Sequence, residues 1–242
     1  MTPIAAMTRY TVRTAVPPKR WFLALIPCGM AVLFGLLARG FDASAAHDFA
    51  RVAARGLFAL ILPVASLVIG DAVLGGELRR GTFAFTWMSP VSAAEIAFAR
   101  WAGGSIVATA CIAPAFALSA IVAGAPGSAP YAALAGAAGA ATYIAVFMAI
   151  GSIANRAAAW SLAFVFIVER LLGEALSGIA QLSPSWEARA AFVGLADAPS
   201  ALVQRGIPHG WAAIVRLAII TAVALVITTR RLPRVKIAGS SD

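Results

Sequence analysis

The sequence predicts an all-α polytopic membrane protein, with six transmembrane helices and a set of external, re-entrant helices before the last span. Three observations carry this. The 242 residues are 61% hydrophobic and 12% charged, where a soluble domain carries roughly 25% charged residues. The apolar residues fall in runs close to the roughly 20 needed to cross a bilayer. The net charge of +9 is spread over the ends of those runs rather than gathered in one patch. That distribution fits orientation by basic cytoplasmic loops and argues against nucleic acid as a partner. The spans leave only short loops, so the chain reads as one transmembrane domain over residues 1–242.

Residues 1–20 are polar to mixed and hold Arg9, Arg13, Lys19 and Arg20, with Pro17-Pro18 breaking any helix ahead of the first span. Ile4, Met7 and Tyr10 would share one side of a short helix on the membrane surface. The first span covers 21–38. Its basic start and the later Ala43-Ser44-Ala45 resemble a cleaved signal, but the basic region and the apolar run are both long for one, so we read it as retained. The second span covers 52–74 and ends at Gly75-Gly76. The third, 101–124, begins in the preceding loop, where Ser92-Ala93-Ala94-Glu95 spells a capping box: Ser92 accepts from the backbone three residues on and Glu95 reaches back. Trp101 marks its entry into the membrane as an interface anchor.

The fourth span, 131–154, follows the uncharged turn Ala125-Pro126-Gly127-Ser128-Ala129-Pro130. Its small residues, including Gly136, Gly139 and Ala140, permit close helix approach. The fifth covers 157–176 and the sixth 211–229, closed by Arg230, Arg231, Arg234 and Lys236. The insert 177–210 is apolar but broken by Pro184, Glu187, Arg189, Asp197, Pro199, Arg205 and Pro208. Counting it as a span would put the basic C-terminus outside. Six spans keep both termini in the cytoplasm and most basic residues on that side, so the insert reads as external helices that dip into the membrane and return.

Charge inside a membrane is costly and usually paired. The fifth span carries Glu169, Arg170 and Glu174, and the sixth carries Arg216. At 1.5 Å per residue, Glu169 lies roughly 18 Å and Glu174 roughly 25 Å from the cytoplasmic end, with Arg216 at roughly 22 Å. The expectation is an intramembrane cluster of these four side chains joining spans five and six. Cys28 and Cys111 each sit inside an apolar run, so no disulfide framework is expected. His47 and His209 stand alone in loops, so no metal site is expected and no catalytic residue is nominated.

The loop after the second span reads Gly76-Glu77-Leu78-Arg79-Arg80-Gly81-Thr82-Phe83-Ala84-Phe85-Thr86-Trp87-Met88-Ser89-Pro90-Val91-Ser92. It is both charged and apolar, which suits docking into a partner's groove. Glu77, Arg80, Gly81, Thr82, Pro90 and Ser92, in that order, resemble the corresponding loop of ABC-2 type transporter permeases, the membrane subunits of ATP-binding cassette exporters. The six-span layout and the long insert before the last span are similar to that family too. The resemblance implies a cytoplasmic coupling helix here, with Glu77, Arg79, Arg80, Gly81, Thr82, Phe83, Phe85 and Trp87 receiving motion from a cytoplasmic ABC ATPase. It implies a second permease copy as well.

Neither lysine stands in the Gly-Lys-Ser/Thr setting that a phosphate-binding loop requires. ATP and Mg would therefore be bound by a partner subunit. The expected function is a multi-pass cell-membrane exporter subunit without its own ATPase. Its mainly aliphatic spans favour an amphipathic or apolar cargo such as a drug, antibiotic, lipid or peptide. A non-transporting assembly or sensor subunit of the same fold is the alternative, and an integral membrane enzyme the more distant one.

Overall fold

The computed structural model describes residues 3–15, 22–41, 44–75, 91–154, 157–203 and 206–234, and the described secondary structure is entirely helical. In chain order, α1 is Pro3–Ala15 and α2 is Phe22–Ala38. α3 begins at Ala45–Val52, capped by the Ser44 hydroxyl, and continues unbroken through Ala53–Ile61, Leu62–Gly70 and Asp71–Gly75. It therefore starts seven residues ahead of the expected span. α4 is Ala93–Val122 and α5 is Ala129–Ile153. α6 runs on through Ala157–Ala163, Phe164–Leu172 and Gly173–Ala175. α7 is the single turn Ser177–Ala180, α8 is Pro184–Leu195 and α9 is Trp211–Arg231.

Four helices are long and apolar enough to cross a membrane: Ala45–Val73, Ala93–Val122, Pro126–Ile153 and Trp211–Arg231. Their outward faces carry large apolar side chains, among them Val64, Ile106, Leu134, Val215 and Ile219. A surface of that kind is at rest in lipid and not in water. The protein is accordingly a membrane-embedded helical protein.

α5 is the central post. It packs against α4 and α9 most extensively, and against α3, α6 and α8 as well. Its sequence explains this. Ala132, Ala135, Gly136, Gly139, Ala140 and Thr142 are all buried, and small residues let neighbouring backbones come close. A Cβ on Gly139 would stand 2.7 Å from Leu62 of α3 and 2.8 Å from Ala188 of α8. Phe58, Phe116 and Phe192, from α3, α4 and α8, form the aromatic centre of the core.

The ends of α4 are set locally. Ser92 takes an extended backbone and closes the predicted capping box, with Ser92 N–H donating to Glu95 at 2.9 Å and Glu95 N–H donating to Ser92 Oγ at 3.3 Å. At the other end Gly124 adopts φ 83°. Ala125 N–H then reaches Ala120 O at 2.9 Å and Gly124 N–H reaches Ile121 O at 3.0 Å, the paired bonds of a Schellman stop. Trp101 also has a partner inside the bundle. Its indole donates to Ala141 O of α5 at 2.9 Å, so it joins two helices. α1 lies along α4, burying Thr11 and Ala15, while Tyr10 is exposed and lies beneath the buried Arg100 guanidinium at 5.2 Å.

Candidate functional site

The most polar part of the interior lies where α8 enters the bundle. Leu182-Ser183-Pro184 starts that helix for two local reasons. Ser183 is extended and accepts Trp186 N–H on its hydroxyl at 3.4 Å, and Pro184 occupies the first helical position, where a missing N–H costs nothing. Every residue from Pro184 to Val193 is buried, charged ones included. The expected external insert thus contains a helix packed on α5, α9 and the middle of α3.

Glu169, 1% exposed, meets the N-terminus of α8. Its Oε1 accepts from the Ser183 hydroxyl at 2.7 Å and from Ser185 N–H at 3.5 Å. Its Oε2 accepts from the Tyr143 hydroxyl of α5. Ser183 and Ser185 hydroxyls lie 3.0 Å apart, and the Trp186 indole donates to the Glu169 carbonyl at 3.4 Å. An isolated carboxylate this deep would cost several kcal/mol in desolvation. Three donors and the positive end of a helix offset that cost. Glu169 lies in a π-helical stretch of α6, whose end shows in Gly173 N–H bonding Val168 O, five residues back. Gly173 is also where the Trp186 indole sits, 3.1 Å from the position of an added Cβ.

A second polar group lies beside it. Arg216 of α9 donates through Nη1 to Gln181 Oε1 at 3.2 Å and to Glu187 Oε1 at 3.5 Å. Gln181 in turn donates to Gly206 O at 3.2 Å. Glu187 is 0% exposed while Arg216 is 36% exposed, and Glu187 Oε2 has no hydrogen-bond partner among the described residues. The Arg189 guanidinium stacks over the Trp186 ring at 4.1 Å. α8 and α9 touch backbone to backbone at Gly194 and Gly210, with Gly210 N–H donating to Ala190 O at 3.0 Å. Below them, Thr221 of α9 donates to Thr142 of α5 at 3.0 Å.

The chain matches no family model and no curated protein.

Of the expected cluster of Glu169, Arg170, Glu174 and Arg216, the described contacts place Glu169 and Arg216 in two neighbouring sites. Arg216 pairs with Glu187 of α8, and Glu169 pairs with Tyr143, Ser183 and Ser185. The physical reason is packing. α9 lies on α5, α8 and α4, whereas α6 lies on α5 and α3, so α8 supplies the partners that α6 was expected to give. Arg170 is half-buried in α6, and the Glu174 side chain lies outside the described residues. Ser92 and Glu95 meet as expected. Glu77, Arg79, Arg80, Gly81, Thr82, Phe83, Phe85 and Trp87 lie outside the described residues. Tyr143, Gln181, Ser183 and Glu187 were not nominated from sequence. The legible signal for them was Ser183-Pro184 with Glu187 following, a helix start with an acid in its first turn.

Among the described residues no three His, Cys, Asp or Glu side chains gather as a metal site would need. What the arrangement offers is mechanical. α8 is held at its deep end by α5 and α6 and along its side by α9.

Proposed function

We propose that this chain is the membrane permease subunit of an ATP-driven exporter of the ABC-2 type. It crosses the membrane six times, as α2 to α6 and α9, with both termini in the cytoplasm and with α7 and α8 forming a re-entrant hairpin from the outer side. The observation that carries the reading is the ordered set Glu77, Arg80, Gly81, Thr82, Pro90 and Ser92 between two apolar helices, ending at a capping box that starts the next helix. Support also comes from α8, which is too short at 12 residues to span and yet is buried from Pro184 to Val193.

A second copy of the chain, or a related permease, completes the pathway. A separate cytoplasmic subunit binds ATP and Mg. ATP binding draws the loops at 76–90 together, and the pathway between the two permeases opens outward. The aliphatic faces of the spans suit an amphipathic or apolar cargo.

The test is affinity capture of the tagged chain in mild detergent, wild type beside a Glu77→Ala/Arg80→Ala double variant, with mass spectrometry of what comes down. An ATPase with a phosphate-binding loop that co-purifies with wild type and is lost with the variant supports the reading. Well-folded wild type that brings down no ATPase removes it, and leaves a non-transporting subunit of the same fold.

A further inference from the structure

α3 carries two arginines, Arg51 and Arg55, that the exporter reading does not use. Both are exposed. They are four residues apart, so they stand one above the other on one helix face. Neither has a hydrogen bond or ion pair with a described residue. Asp48, one turn earlier, is 2% exposed and makes no ion pair with either of them.

Depth assigns the pair a place. The apolar helix Ala45–Val73 has 29 residues, about 43 Å at 1.5 Å per residue, and so exceeds a hydrocarbon core of about 30 Å. From Arg55 to Asp71, the next charged residue, is about 24 Å by the same rise. That is about 6 Å short of the core, so Arg55 lies a few Å inside its edge and extends its side chain outward, while Arg51, about 6 Å further along the helix, lies among the headgroups. Both side chains reach the phosphate layer without burying their charge.

The helix beside them supplies the second half of a lipid site. A Cβ on Gly56 would stand 2.8 Å from the Phe34 ring, so α2 passes α3 at the residue after Arg55. α2 and α3 run antiparallel across a short turn, and from that crossing into the membrane α2 exposes Leu33, Met30 and Ile26. Two cations near phosphate level and an exposed apolar face leading into the adjoining hydrocarbon match the two ends of one amphiphile.

We propose that Arg51 and Arg55 bind the phosphate of an anionic phospholipid whose acyl chains lie along Leu33, Met30 and Ile26 of α2. Paired guanidinium groups favour phosphate oxygens because their N–H donors match them in pairs. The site requires only that the protein is embedded in a membrane, and it stands or falls separately from the exporter reading.

The experiment is lipid titration of the purified, delipidated full chain in detergent, read by native mass spectrometry. The probes are phosphatidylglycerol, phosphatidylcholine and inorganic phosphate. Wild type is expected to hold phosphatidylglycerol at least ten-fold more tightly than phosphatidylcholine, with inorganic phosphate at millimolar concentration failing to displace it. Arg51→Gln/Arg55→Gln is expected to lose affinity for phosphatidylglycerol by about five-fold per arginine. Arg230→Gln, at the far end of α9, is expected to change nothing. Wild type without a preference for the anionic lipid overturns the proposal, and that arm needs no variant to fold. So does a preference that survives intact in the double variant, or displacement by inorganic phosphate, which would make the ligand a soluble anion.

Discussion

Tyr143 and Glu169 are 26 residues apart on separate helices, and the tyrosine hydroxyl donates to the carboxylate inside a fully buried site. That single bond joins α5 to α6. The serines at the head of α8 share the same carboxylate, so three elements are tied at one point.

Glu169→Ala is expected to destabilise the folded protein by about 3–5 kcal/mol, because it leaves buried donors on Tyr143 and at the head of α8 without an acceptor, each costing about 1–3 kcal/mol. Tyr143→Phe removes one donor and is expected to cost about 1–2 kcal/mol. Glu169→Gln keeps an acceptor and falls between the two. Unfolding in detergent ranks the three. Equal stability of Glu169→Ala and wild type would contradict the tie.

Arg216→Ala leaves Glu187 buried without its cation. Full burial of such a pair would put the loss at about 3–5 kcal/mol. Arg216 is 36% exposed, so about 1–3 kcal/mol is expected after solvent screening. Adding Glu187→Gln removes the stranded charge and is expected to recover at least half of the loss. A double-mutant cycle by unfolding measures this, and strictly additive effects would show that the two side chains do not interact.

Gly194→Ala is expected to force α8 from α9, because an added Cβ would lie on the backbone of Gly210. The expected loss is about 1–3 kcal/mol, as for other overpacked cores. Gly29→Ala in α2 has nothing within 4 Å of the added methyl and is expected to be neutral, or stabilising by up to about 1 kcal/mol. Comparing the two unfolding midpoints checks the close approach directly.

Ser92→Ala removes the N-cap of α4 and is expected to cost about 1 kcal/mol. Ser92→Asp keeps an acceptor for Glu95 N–H and is expected to cost less. Thermal unfolding of the pair separates loss of the cap from loss of the hydroxyl.

Much of the helical layout was legible because apolar run length is a local property. The ends of α4 were legible too, since Ser92 and Glu95 are three residues apart and Gly124 lies just past the last apolar turn. The partners of Glu169 and Arg216 were not. Spacing along one helix places Arg170 and Glu174 on a shared face, but it does not say that a helix from the insert will come between α6 and α9. Pro184 and Glu187 read as interruptions of an apolar segment, when they are the first turn of a buried helix. The π-helical turn around Glu169 was also invisible, because it shifts the register of a face without changing composition.

Topology tests the account most directly, because the re-entrant α8 and the cytoplasmic loop at 76–90 both depend on six crossings. Single cysteines would be placed at Ser128, Asp197, Asn155 and Ser240 in a Cys28→Ala/Cys111→Ala background and labelled with a membrane-impermeant thiol reagent. The account predicts labelling of positions 128 and 197 from outside the cell, and labelling of 155 and 240 only after permeabilisation. Labelling of position 240 from outside, with 155 still protected, would mean an odd number of crossings between them. It would place the basic tail and the 76–90 loop on opposite sides, and the exporter reading would fail with it.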